Sequence, residues 1–231
     1  MRASATGDRT QVLFDYSAGA PATTGGSIRS SPAPFAEGFS KDERPVTPKP
    51  VSASRAVINE IVLPNDTNSL GNMMGGRLLH LMDKCAAISA QRHAHRVCVT
   101  ASVDNVEFQA PIRGSEVVVI KSQVNRAFRT SMEVELNVWA ENPREETKRK
   151  CNRAFYTFVA IDDDGSTVPV PAIEPQTPEE RDRYAAAAKR REIRLVLAGR
   201  LDLEDASSLK EDMAAAIHPS DTASLSDSSA P

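Results

Sequence analysis

"TSMEVELNVWAEN", residues 130–142, alternates in the way only a strand with two unlike faces does. Met132, Val134, Leu136, Val138 and Ala140 fall on one side, and Glu133, Glu135, Asn137 and Glu141 on the other. A period of two predicts one buried face and one wet face. Three further apolar runs read as strands: "VCVTASVDNVEF" (97–108), "SEVVVIKSQVNRAF" (115–128) and "CNRAFYTFVAID" (151–162). The last is apolar on both faces, as a central strand should be, and "PIRG" and "DDDG" supply turns. Before them come a short strand, "RAVINEIVL" (55–63), and a breaker-free helical run, "RLLHLMDKCAAISAQRHA" (77–94). A short strand, one long helix and four strands with no helix between them exclude a doubly wound fold. They predict an α+β chain with a curved antiparallel sheet wrapped round a single helix. Such a sheet leaves an edge and a face open, so association between copies is expected.

Outside that block the composition changes. Residues 1–50 are rich in Ser, Ala, Gly, Thr and Pro, and 201–231 are similar, although "LEDASSLKEDMAAAIH" could make a marginal helix. Neither segment holds enough apolar surface to offset its ordering entropy, and both are read as mostly disordered. The domain is placed at 55–175, followed by a helix at 177–200. That helix opens with a capping box, Thr177 to Glu180, has Pro178 at its first position and closes on Gly199. A net charge of −3 gives no general attraction to nucleic acid or anionic membranes, and no apolar run reaches the ~20 residues of a membrane span. The start of the chain lacks an apolar leader, so a cytoplasmic protein is expected. Cys85, Cys98 and Cys151 form no CxxC pair and read as buried thiols. His93 and His95, two apart with no ligand spacing around them, read as surface or capping residues, so no metal is expected.

The chemistry is concentrated in "LPNDTNSLGNMMGGRLLHLMD", residues 63–83. On a helix, Arg77, Lys84 and Gln91 share the solvent side. Asp83 lies about a third of a turn away, among Gly76, Leu79, Ala87 and Ala90, with His80 beside it. Water-poor surroundings make a carboxylate more basic, as a general base requires. The "GG" pair sits where a helix leaves its first N–H groups unpaired, and the Gly75 N–H there could polarise a carbonyl. Asn68 in "NDTN" offers an amide able to orient water. The alternative is structural throughout: a tight turn, a loop, and Asp83 paired with Arg77 or His80.

Residues 63–83, with "QRHAHRVCVTASVDNVEFQAPIRGSEV", "RTSMEVELNVWAE" and "AFYTFVAID", resemble the hotdog-fold acyl-CoA thioesterases, most closely the group holding YciA and the two-domain brain acyl-CoA hydrolases. The resemblance covers roughly residues 55–172. It implies a hotdog fold and hydrolysis of acyl-CoA to free acid and CoA, without a separate cofactor. It also implies a homodimer that forms the active site, and often a hexamer built as a trimer of dimers. Asp83 takes the place of the catalytic aspartate, Asn68 of the asparagine, and Gly75 of the oxyanion donor. The family draws Asn and Gly from one subunit and Asp from the other. Helix geometry agrees, since Asp83 lies about 10 Å along the helix from Gly75.

Two positions depart from the pattern: Met74 stands where many relatives have His or Phe, and Ala101 where some have a water-holding serine that Thr100 or Ser102 could replace. Gly76 and Thr100 are assigned to substrate contact. Arg126, Arg129, Thr130 and Ser131, in "NRAFRTS", are assigned to CoA, whose phosphates call for Arg and Lys. The "KRREIR" cluster (Lys189, Arg190, Arg191, Arg194) could also hold phosphate, but a solvated helix face is preferred. Trp139 is read as a subunit contact. The competing functions are a hotdog hydratase, which would need a histidine that only His80 could supply, and a non-catalytic acyl-CoA sensor, for which neither tail offers a basic helix-turn-helix.

Overall fold

In the computed structural model, residues 47–208 and 210 are described. Most of the two terminal segments read as disordered therefore lies outside the described residues. Residues 49–50 do not fit that reading, because Lys49–Pro50 forms β1, paired parallel to β7 (Ile173–Glu174). The remaining strands and α-helices are β2 (Ala56–Ile61), α1 (Gly75–Ala94), β3 (Val97–Val103), β4 (Val117–Ala127), β5 (Ser131–Asn142), β6 (Thr147–Ile161) and α2 (Pro178–Leu197), with short 3-10 turns at Val51–Ser54, Pro64–Asp66 and Leu203–Asp205. β2 to β6 make one antiparallel sheet in the order β2-β4-β5-β6-β3.

The sheet curls round α1 because its inner face is apolar and the facing side of the helix is small. Met132, Val134, Leu136, Val138 and Ala140 are all buried, as the alternation predicts, with Ile120, Tyr156 and Phe158 beside them. Against them α1 sets Leu78, Leu81, Met82, Cys85, Ala86, Ser89 and Ala90. Three β-bulges assist the curvature, at Asn125 in β4, Ala101 in β3 and Cys151 in β6. The Val124 amide beside the first bulge donates to Ser54 Oγ at 2.9 Å. Ser122 bonds both Ser89 and Cys85 inside the helix–sheet contact, with Ser89 Oγ and Ser122 Oγ 2.6 Å apart. All three cysteines are buried and free, and burial pushes the Cys98 thiol up to about 12.

The outer face of the sheet overturns one expectation. Glu133 and Glu135 are buried, because α2 lies over them and supplies arginines. Glu133 accepts from Arg190 Nη2 at 2.7 Å and from Arg194 Nη2 at 3.3 Å. Glu135 pairs with Arg153 at 2.8 Å and with Arg183 at 3.5 Å. Alternation along one strand shows which residues face outward. It cannot show that a helix forty residues later covers that face. The same contacts correct the "KRREIR" reading, since Arg190 and Arg194 line neither open solvent nor an empty phosphate site. The helix signals themselves hold: Thr177 Oγ1 accepts the Glu180 N–H, and Gly199 turns the chain with φ +63°.

The two histidines divide. His95 takes the left-handed C-cap of α1 with φ 51°, its N–H closing on Gln91 O, as a capping residue does. His93 is fully buried, against expectation, with Nε2 2.8 Å from Pro171 O and no partner on Nδ1 among the described residues. Burial pushes its pKa down, and Lys49, whose Nζ donates to His93 O, adds to that. The unfolded chain therefore takes up this proton first as pH falls through about 6.5. Stability should be full above that pH and decline below it. Urea midpoints measured at neutral pH and at about pH 5.5 should differ more for the native protein than for His93→Phe; equal differences would remove His93 as the cause.

Candidate active site at the start of the central helix

The loop before α1 is anchored so that the helix begins without a cap. Buried Asp66 accepts the Leu63 N–H at 3.1 Å and Arg77 Nε at 2.9 Å, and its carbonyl accepts the Met74 N–H at 2.8 Å. Arg77 also pairs with Glu60, so it is tied down rather than free on the solvent side. The Met73 N–H bonds Ile112 O at 2.7 Å, and the Leu78 N–H closes back on Met74 O. The amides of Gly75, Gly76 and Arg77 then have no acceptor among the described residues. No side chain caps the helix, and no acidic residue lies in its first turn. These are the unpaired donors, with partial positive charge, that a developing oxyanion would need.

Asn68 is exposed in the same loop. Its Oδ1 accepts the Leu70 N–H at 2.9 Å and the Asn72 N–H at 3.2 Å, which fixes the side chain in an Asx-type turn. The NH2 group is the end left for a ligand or a water. Asp83 is half-buried two helical turns beyond Gly75. It accepts a 2.6 Å hydrogen bond from Thr100 Oγ1 on β3. Thr100 stands beside the bulge that takes Ala101 out of pairing, so the strand residue that meets Asp83 is Thr100 rather than Ala101 or Ser102. Beneath lies Tyr156, buried on β6, its hydroxyl held up to about 12 by burial and further by the Asp83 charge. His80 is exposed and makes no hydrogen bond to Asp83 among the described residues.

The residues assigned to CoA separate. The Arg126 guanidinium stacks 4.1 Å from the Tyr184 ring centre and donates to Tyr184 O, so it is engaged with α2. Arg129, Thr130 and Ser131 form the tight β4–β5 turn, where the Phe128 N–H bonds Ser131 O. Ser131 pairs with Val159, which pairs with Val99, so the turn lies two strands, roughly 10 Å, from the Thr100 region. Trp139 is half-buried with Lys121 and Lys148 over its ring. One residue at the site went unassigned from sequence: Phe108, whose ring lies against Gly75.

This architecture, a helix inside a curled antiparallel sheet with an open helix start and a carboxylate two turns on, is the hotdog fold. A family model described as thioesterase superfamily matches residues 70–147. The chain is 39% identical over 137 residues to the uncharacterized acyl-CoA thioester hydrolase YkhA of Bacillus subtilis, covering 59% of this chain and 80% of that protein. It is 42% identical over 141 residues to mouse acyl-coenzyme A thioesterase 11, covering 61% of this chain but only 24% of the mouse protein. The crystal structure of an apo-hexameric acyl-CoA thioesterase superposes with a TM-score of 0.65 at 38% identity, over 66% of this chain and 98% of that one. The chain belongs to the thioesterase superfamily. The acyl-CoA hydrolase of Staphylococcus aureus is also similar, at 32% identity and a TM-score of 0.62 over 73% of this chain and 99% of that one. It has been solved with butyryl coenzyme A and coenzyme A, and with alanine replacing an asparagine, an aspartate or a threonine.

Proposed function

We propose that the protein hydrolyses acyl-CoA thioesters to carboxylic acid and CoA, with Asp83 as general base, Asn68 positioning the water and the Gly75 N–H as oxyanion donor. One observation carries the reading: the 2.6 Å bond from Thr100 to Asp83, which orients one carboxylate oxygen and leaves the other for water. The S. aureus positions support it. Its substituted asparagine stands fifteen residues before the aspartate and its threonine seventeen after. Those are the spacings of Asn68, Asp83 and Thr100.

Asp83 attracts the proton of the water, water attacks the carbonyl carbon, and negative charge collects on the carbonyl oxygen at the helix start. Collapse then expels the CoA thiolate. Two helical turns separate Asp83 from its own Gly75, too far to act on one carbonyl. A second copy therefore completes each site. β3, which carries Thr100, is an unpaired edge within the described sheet, with Val97 and Val103 exposed, as an edge that joins another copy would be. Free CoA released from a panel running from acetyl- to stearoyl-CoA tests the reading. Release from at least one of them is expected, and none from any would end it.

A further inference from the structure

Gly75 has no conformational need to be glycine, since its φ is not in the left-handed region. Its need is space: a Cβ there would come within 3.2 Å of Phe108 Cζ and 3.7 Å of two further ring carbons. Phe108 nevertheless leaves 54% of its surface exposed, and Met74, the residue before Gly75, leaves 41%. An exposed ring on an irregular segment is ordinarily free to move, but this segment is fastened along its length. Asp104 Oδ2 accepts from Arg194 at 2.6 Å, and the Asp104 N–H bonds Phe155 O at 3.0 Å. Asn152 Nδ2 donates to Glu107 O, and the Gln109 N–H bonds Cys151 O at 3.1 Å. The two residues flanking Phe108 are both tied to β6. The fold thus holds an open aromatic face in one place, one contact from the proposed oxyanion donor.

We infer that Phe108 is a specificity-determining residue that selects acyl groups unbranched at the carbon next to the thioester carbonyl. The inference rests on the thioesterase reading above. A carbonyl oxygen held by the Gly75 N–H would sit beside the residue that the ring packs against, with the substituents of its carbon on the ring's side of the helix start. A straight chain can lie along that face, and its contact keeps water from the amide. A methyl branch at the first carbon meets the ring. CoA's polar arm gains less from an aromatic wall than an alkyl chain does, which assigns the ring to the acyl side.

The test uses the full-length protein and compares kcat/KM for butyryl- and isobutyryl-CoA in the native enzyme, Phe108→Leu and Phe108→Ala. The native enzyme should prefer butyryl-CoA. Phe108→Ala should shrink that preference roughly tenfold, the scale of a lost methylene-sized discrimination, and Phe108→Leu should fall between. Because the ring is half exposed, both variants should keep the native melting temperature within a few degrees, and the leucine variant retains apolar bulk if alanine does not fold. Gly75→Ala should lose activity and regain part of it when combined with Phe108→Ala. An unchanged butyryl-to-isobutyryl ratio in both Phe108 variants would overturn the inference, whether or not all rates fall together. Absence of CoA release by the native enzyme from any substrate would instead sink the hydrolase reading.

Discussion

Asp83→Asn is expected to lower turnover by roughly two to four orders of magnitude, the usual contribution of a positioned general base, while leaving the fold intact. The substitution is nearly isosteric and keeps an oxygen to accept the Thr100 hydroxyl proton. What it removes is the carboxylate oxygen proposed to take a proton from water. The loss should therefore appear in kcat, with KM for the same acyl-CoA little changed. Thr100→Ala should cost less, because the carboxylate stays present but is no longer oriented, and Thr100→Ser should recover most of that loss. Turnover by Asp83→Asn near the native rate would remove Asp83 as the base. Circular dichroism of the variant distinguishes lost chemistry from lost structure.

The second large effect is on stability. Glu133 is fully buried, and its charge is met by Arg190 and Arg194 from α2, each mostly covered. Arg190 also stacks 3.7 Å from the Phe155 ring centre, and Arg194 reaches Asp104. Arg190→Ala leaves that carboxylate with a weaker partner and exposes the ring beneath. Breaking a buried pair from one side costs on the order of 3 kcal/mol or more, and the urea midpoint should fall accordingly. Replacing Glu133 by Gln in the same chain should restore part of the loss, because the buried charge is then gone. A single variant as stable as the native protein would show that α2 is not fastened to the sheet through this pair.

The same network shows how much of the fold was legible in the sequence. Period-two alternation in β5 and the breaker-free run of α1 depend on nearest neighbours, so the five strands of the sheet and the helix inside it could be read before any coordinates, although β3 stops at Val103 and the run to Phe108 is irregular. The caps at Thr177 and Gly199 are equally local. The burial of Glu133, Glu135 and His93 was not legible, because each is enclosed by a segment distant in the chain.

At the candidate site the division is similar. Asn68, the glycine pair and Asp83 lie within twenty residues of one another, where a loop, a turn and a helix carboxylate were legible, and the resemblance to the hotdog thioesterases singled them out. The chain by itself thus determined that these residues stand on a loop, at the start of one helix and two turns along it. Only the tertiary structure decided that Thr100 is the residue that orients Asp83, since a bulge sets which side chain of β3 faces the helix. It also placed Phe108 against Gly75 and engaged Arg126 with Tyr184. The physical reason is that covalent neighbours fix period and capping, whereas side-chain partners are chosen by how sheet and helix surfaces meet across long loops.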